Sequence, residues 1–367
     1  MICSMGDCMS MRMGEALSVT LFGESHGPAV GALIEGLPAG TPIDMEGLAQ
    51  DMAARSPGGP LASKRQETDD CELLSGVYEG RATGWPILIL IRNRDARSSD
   101  YDFLPEHPRP GHADLPEITR SEGSSDPRGG GSHSGRLTAG LVAAASICRP
   151  LAETLGVDGI EAHTSTVGDI EAQGIEHCPA GAGDEYARIR CRDADAAQKM
   201  VEFVQQVRKQ RDSVGSSVEL RISGLPLGFG EPWFAGIEPA LAHALMAIPG
   251  ARAVEFGRGA HASRMRGSEH NDPWVATESG PRPAGERADG ALGGLATGAD
   301  LFVKLHFKPP SSIPQEQVTL HLEADEPKPL VVGGRHDPVL APRAVAVVEA
   351  TARLVLCDLS LRGGWSM

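Results

Sequence analysis

Five short stretches combine glycine with side chains that can move protons or hold anions. Gly23-Glu24-Ser25-His26-Gly27 follows an apolar run and puts Ser25 and His26 in a glycine-bounded turn. There an imidazole can act as acid or base near neutral pH, and backbone N–H groups can face an anion. Arg109-Pro110-Gly111-His112-Ala113-Asp114 carries a second histidine, with a carboxylate two residues on that orients the ring if the backbone turns back. Arg128-Gly129-Gly130-Gly131-Ser132-His133-Ser134-Gly135-Arg136 stands immediately before a predicted helix, so its N–H groups and the helix dipole favour a phosphate or carboxylate. It is neither a P-loop nor a dinucleotide fingerprint, lacking the Gly-Lys-Ser/Thr ending of the first and the preceding strand of the second. Lys308-Pro309-Pro310-Ser311-Ser312-Ile313 follows the glycine-rich run Gly290 to Gly298 and a predicted strand; a lysine beside two hydroxyls suits a phosphate or a flavin ring edge. In Gly334-Arg335-His336-Asp337-Pro338, Arg335 can bind an anion and Asp337 accept a proton. Taken singly, each stretch also reads as ordinary loop chemistry, close backbone packing or paired surface charge.

The elements that must position these residues follow from periodicity. Leu17 to Phe22 and Ala29 to Leu37 read as strands flanking the first turn, and Asp44 caps a helix running to about Ala54. Glu72 to Tyr78 and Trp85 to Ile91 read as two more strands, the second apolar enough to be buried on both faces. Asn93 to Gly135 is a long loop rich in Gly, Pro, Ser and charge, and a loop of that length inside a compact unit is functional or disordered. Leu137 to about Leu155 has helical spacing, with alanines that permit close packing and a break or kink at Pro150. Ala196 to Asp212 and Ile237 to Ile248 read as helices, Val218 to Ser223, Ala253 to Phe256 and Leu301 to Phe307 as strands, and Arg343 to Leu361 as a closing apolar helix. A strand followed by G-L-P-A-G near Gly36 echoes a strand followed by G-L-P-L-G near Gly224, which hints at duplication. No composition shift marks a linker, so one α+β unit is expected over 14–367. The methionine-crowded residues 1–13 are expected to be a loose tail or a mis-assigned start.

Composition narrows the partners. The formal net charge is −15, which repels polyanions, so neither nucleic acid nor an anionic membrane surface is expected. Seven arginines nevertheless crowd Arg92 to Arg136, enough for a small-anion pocket. The seven cysteines are scattered with no C-x-x-C pair, so neither a disulfide framework nor a metal site is expected. No signal peptide and no apolar run of membrane-spanning length is visible, which makes the cytoplasm the default location. Glycine (45) and proline (27) are abundant and aromatics only 4%, so loops carry much of the architecture.

From about Leu17 to Arg362 the order of motifs resembles the chorismate synthase family. F-G-E-S-H-G, R-x-E-T-D at Arg65 to Asp69, L-S-G-V-Y-E-G at Leu74 to Gly80, R-P-G-H-A-D, R-G-G-G, V-E-F-G at Val254 to Gly257, G-S-E-H-N-D at Gly267 to Asp272, K-P-x-S-S-I and G-R-H-D-P occur in family order. The resemblance implies a β-α-β sandwich formed by internal duplication with long active-site loops. It also implies reduced FMN as cofactor, a homotetramer, and a 1,4-anti elimination of phosphate from 5-enolpyruvylshikimate 3-phosphate. His26 is then expected to protonate the departing phosphate, His112 to serve the reduced flavin, and Asp337 to help take the substrate proton. Ser132, His133, Ser134, Gly293, Lys308, Pro309, Pro310, Ser311, Ser312 and Arg335 are expected against FMN. Arg55, Arg65, Arg136 and Ser25 are expected to hold the substrate's anionic groups. The family also associates with NADP, but without a dinucleotide fingerprint an external source of reduced flavin is expected.

The chain departs from the family pattern at two places. Where the family reads R-G-G-G-R-S-S-A-R-E-T-A, this chain reads R-G-G-G-S-H-S-G-R-L-T-A, so an arginine becomes Ser132, a serine His133 and a glutamate Leu137. The usual R-R-R-P-G is reduced to Ala54-Arg55-Ser56-Pro57-Gly58. A thinner anion clamp and weaker substrate or flavin binding are expected, since a neutral imidazole does not replace a guanidinium. Two other readings are a divergent paralogue that binds FMN or a phospho-acid without turnover, and a purely structural or protein-binding module.

Overall fold

The computed structural model describes residues 11–56, 69–94, 98–157, 159–181, 183–278, 280–285, 289–334 and 336–365. Two five-stranded antiparallel sheets enclose a layer of helices. The first sheet contains β1 (Arg12–Met13), β2 (Ser18–Gly23), β3 (Ala29–Glu35), β4 (Cys71–Leu73) and β5 (Ile87–Arg92), in the order β1-β2-β3-β5-β4. The second contains β6 (Gly159–Val167), β7 (Ile170–Glu171), β8 (Ser216–Ser223), β9 (Ala251–Phe256) and β10 (Leu301–Phe307), in the order β9-β10-β8-β6-β7. Between them lie α1 (Met45–Arg55), α2 (Thr138–Ile147), α4 (Ile237–Met246) and α5 (Ala341–Gly363), while α3 (Ala194–Lys209) packs beside β7.

The duplication hinted at by the two G-L-P segments is visible in the topology. Each half runs strand, strand, helix, strand, strand, helix: β2, β3, α1, β4, β5, α2 and then β6, β8, α4, β9, β10, α5, with α3 inserted in the second. Pairing is equivalent in both, β2-β3-β5-β4 against β6-β8-β10-β9. Gly36 and Gly224 end the middle strands β3 and β8 with φ of 85° and 83°, a left-handed conformation open to glycine at little cost.

Local sequence accounts for most boundaries. Asp44 caps α1 by accepting from Gly47 N–H at 2.9 Å, and Asp193 caps α3 by accepting from Ala196 N–H at 3.1 Å. In β5, Ile87, Ile89 and Ile91 are fully buried towards the helices, each worth about 1.5–3 kcal/mol of transfer free energy. Helix α2 is buried all round because it lies between β3 and β5 on one side and α5 on the other. A Cβ on Gly140 would sit 2.5 Å from the Gly31 carbonyl oxygen, so a glycine there sets the helix-to-sheet approach. As Pro150 suggested, the helical stretch after Leu137 is broken, with α2 ending at Ile147 and a further helix over Arg149–Thr154. One expected strand is corrected. Glu72 to Tyr78 is not one strand: β4 stops at Leu73, Gly76 turns with φ 76°, and Val77–Tyr78 pair locally with Arg81–Ala82. Strand β6, one of the central strands, and the hairpin Glu316–His321 with Glu326–Val331 were not read from the sequence. Of the expected loose segment 1–13, residues 1–10 lie outside the described residues, whereas Arg12 and Met13 pair with Thr20 and Val19.

Candidate active site

Residues 98–135, expected as a loop but holding a short helix over Asp114–Arg120, the turn between α4 and β9, the segment after β10 and the lead into α5 converge on a cavity of about 890 Å³. His112, Ser132, His133, Ser134, Lys308, Pro309, Pro310, Ser311, Ser312 and Asp337 all line it, gathering most of the expected site residues.

His112 is fixed at both ring nitrogens. Nδ1 lies 3.0 Å from the Pro110 carbonyl oxygen and Nε2 2.9 Å from Ser312 Oγ. A carbonyl only accepts, so Nδ1 carries the proton and Nε2 accepts from the Ser312 hydroxyl. Burial, then the Arg109 guanidinium, pushes the imidazole down to about 4, so the ring is neutral near pH 7. The expected carboxylate partner is a correction. Asp114 receives the Arg109 backbone N–H at 2.9 Å and its guanidinium at 2.7 and 2.8 Å, a buried fork-to-fork pair that leaves Asp114 no part in orienting the ring. Lys308 Nζ and Ser311 Oγ both donate to Gly111 O, at 2.5 and 3.1 Å, and so tie the His112 loop to the end of β10.

The glycine-rich loop forms the facing wall through short 3-10 turns over Gly131–His133 and Gly135–Leu137. Ser25 N–H donates to Gly131 O at 3.1 Å, anchoring the G-E-S-H-G turn behind that wall. A Cβ on Gly129 would lie 2.7 Å from His26 Cδ2 and 3.1 Å from Ser25 Oγ. His26 and Ser25 thus sit directly behind a cavity-lining glycine, both buried, with His26 edge-on to Tyr101 at 5.0 Å between ring centroids. Ser25 Oγ is a buried hydroxyl with no hydrogen-bond partner among the described residues. Of the other lining residues, Asp337 is held by Arg343 at 2.7 Å and His133 by Glu117 at 3.0 Å.

Three expected residues stand elsewhere, and two cannot be placed. Arg55 and Arg136 do not line the cavity. Both are buried on Asp69, Arg55 at 2.8 Å and Arg136 in a short contact, because two guanidiniums removed from water require a shared carboxylate. Gly293 turns the hairpin Ala291–Leu292 with Leu295–Ala296, φ 63°, away from the cavity. Arg65 and Arg335 lie outside the described residues. Arg252 and Glu117, which the sequence reading did not single out, line the cavity. For Arg252 the only signal was its place two residues before V-E-F-G.

The sequence profile of the family described as chorismate synthase matches residues 17–361. The chain is 42% identical over 355 residues to a chorismate synthase of Aeropyrum pernix, covering 95% of this chain and 92% of that protein. It is 40% identical over 353 residues to one of Methanosarcina mazei, covering 96% of each. It is 41% identical over 357 residues to one of Synechocystis sp., covering 96% of this chain and 98% of the relative. A crystal structure of chorismate synthase superposes with a TM-score of 0.72 at 23% identity, over 96% of this chain and 93% of that one, a likeness of fold. Motif order, duplicated sandwich and convergent loops agree with these likenesses along nearly the whole chain: it belongs to the chorismate synthase family.

Proposed function

We propose that this cavity carries out the chorismate synthase reaction, eliminating phosphate from 5-enolpyruvylshikimate 3-phosphate. In a 1,4-anti elimination the C–O bond to phosphate breaks and a ring proton leaves from the far end of the intervening double bond. The electron pair of the C–H bond ends in the new diene. The observation that carries the reading is the meeting of His112, Lys308, Ser312 and Asp337, from segments far apart in sequence, on one cavity.

The residues present fit reduced FMN as the cofactor. The cavity, near the upper end of the range for small-molecule sites, has room for a flavin beside a ring substrate, and the Lys308, Ser311 and Ser312 edge offers a cation and two hydroxyls. Bound FMN supplies an electron-rich ring against the substrate. The protein supplies the rest. The carboxylate of Asp337, oriented by Arg343, receives the ring proton. His26 and Ser25 stand behind Gly129 and do not themselves line the cavity; the family resemblance gives His26 the proton for the departing phosphate, and Gly129, having no side chain, is the thinnest point of the wall between them. His112 stays neutral and holds its Nδ1–H orientation through Pro110 and Ser312.

The wider reading is one α+β unit over 14–367, assembled as a cytoplasmic homotetramer that takes reduced flavin from an external source. The shared hydrophobic core of both halves supports the first part. The adjacent exposed rings of Trp233 (81% exposed) and Phe234 (94%) support assembly with further copies. No helix among the described residues is long and apolar enough to cross a membrane. The test is an anaerobic assay with photoreduced FMN and 5-enolpyruvylshikimate 3-phosphate. Stoichiometric chorismate and phosphate, lost in His112→Ala, are expected; bound FMN without product would favour the non-catalytic paralogue.

A further inference from the structure

Charge on the cavity wall is unevenly matched. Four of the five wall carboxylates are paired: Asp114 by Arg109, Glu117 by Arg120 and His133, Asp126 by Arg128, and Asp337 by Arg343, while Glu24 lines the wall beside the glycine-rich loop. Arg252 and Lys308 line the same cavity and have no carboxylate partner among the described residues. Among the described residues the Arg252 side chain donates only to its neighbour's carbonyl, Ala251 O, at 2.9 Å, and Lys308 Nζ only to Gly111 O.

A backbone irregularity brings these two cations together. Strand β9 pairs with β10 as Ala251 with Phe307 and then Ala253 with His306, so Arg252 is the extra residue of a β-bulge. A bulge re-aims its side chain out of the regular alternation. The following residue on the partner strand is Lys308, whose N–H donates to Gly250 O at 3.0 Å. The two side chains therefore leave the same end of the β9–β10 ladder, on the cavity side. Their proximity is felt electrostatically: the Lys308 ammonium is pulled below its ordinary value first by burial and then by the Arg252 charge. Two like charges held close without a counter-ion favour a doubly charged anion between them, and the hydroxyls of Ser311 and Ser312 stand beside it.

From this we infer that Arg252, aimed by the β9 bulge, forms with Lys308 a binding site for a phosphate monoester dianion. The inference rests on the cavity being the reaction site, where two ligands carry such a group, the flavin through its ribityl phosphate and the substrate through its leaving phosphate. Arg252 is exposed, so truncating it leaves the core intact. Its part is to bind the phosphate, with no share in the proton transfers.

The test compares the full-length protein with Arg252→Ala and Arg252→Lys. Oxidised FMN and riboflavin are titrated by flavin fluorescence; 5-enolpyruvylshikimate 3-phosphate, its dephosphorylated form and inorganic phosphate are titrated by calorimetry. Loss of roughly ten- to a hundredfold in affinity for a phosphorylated ligand is expected in Arg252→Ala, with partial recovery in Arg252→Lys. A loss for FMN with riboflavin unchanged assigns the site to the flavin phosphate. A loss for the substrate with its dephosphorylated form unchanged assigns it to the leaving group. Wild-type binding of both ligands that is unaltered in Arg252→Ala overturns the inference and leaves the proposed function standing. A wild-type protein that binds neither FMN, substrate nor inorganic phosphate overturns both.

Discussion

The hydroxyl of Ser312 lies 2.9 Å from Nε2 of His112, a contact made across 200 residues of chain. With Nδ1–H given to Pro110 O, this bond holds the imidazole in one tautomer and one orientation. Ser312→Ala removes a donor that favours the neutral ring, so the His112 titration is expected to move up from about 4, and kcat to fall about tenfold. An NMR titration of the imidazole together with the pH profile of kcat/KM checks this; an unmoved titration would refute the tautomer assignment.

Gly129 separates His26 from the cavity. Its φ of 65° and the 2.7 Å approach to His26 Cδ2 leave no room for a methyl group. Gly129→Ala is expected to displace the imidazole and lower kcat on the order of a hundredfold, the cost of misplacing a reacting group by about 1 Å. Flavin binding should change far less than turnover. Equal losses in both would point to collapse of the whole loop.

Asp69 joins α1 to the glycine-rich loop through Arg55 and Arg136, and the three side chains are at most 10% exposed. Asp69→Asn removes the carboxylate that the two buried guanidiniums share, which is expected to cost about 3–5 kcal/mol in denaturant unfolding. A loss of affinity for substrate with stability intact would instead restore the anion-binding role expected from the sequence.

Glu349, on α5, accepts the Ala162 N–H at 2.7 Å and is pushed up to about 7, chiefly by burial. Its folded value exceeds the unfolded 4.5, so the folded state takes up a proton: this group's contribution to stability falls as pH rises from 4.5 through 7. Glu349→Gln keeps an acceptor and removes the charge. It is expected to stabilise the protein at pH 8 by on the order of 2–3 kcal/mol and little at pH 4. Equal thermal shifts at both pH values would count against a buried carboxylate as the cause.

Ser132 lines the cavity where the family resemblance leads one to expect an arginine, and the neighbouring His133 is engaged with Glu117 at 3.0 Å. An imidazole so held is a poor substitute for a fixed guanidinium. Ser132→Arg is expected to lower the Michaelis constant for substrate, or the dissociation constant of FMN, about tenfold. Michaelis constants already typical of the family in the wild type would remove the premise.

Much of this protein was fixed by short-range chemistry and was therefore readable along the chain. Asp44 and Asp193 cap their helices because a carboxylate three residues ahead of an orphan N–H finds it without help from the rest of the fold. The alternation in Leu301 to Phe307 and the run Ile87 to Ile91 declare buried strands, and Gly36 and Gly224 announce equivalent strand ends. Motif order alone indicated the family, and the Lys308 to Ser312 segment that it singled out lines the cavity. Which partner each charged group takes was decided only in three dimensions. Asp114 lies two residues from His112 but turns to Arg109, since a buried guanidinium forms two charge-assisted bonds where a neutral imidazole offers one. Arg55 and Arg136 read as substrate clamps, and the fold places both on Asp69. Arg252 carried little sequence signal because a bulge, set by pairing between strands some fifty residues apart, aims it at the cavity. Residue type and spacing set which local bonds can form; burial and strand register, which depend on distant chain, choose among the charged partners.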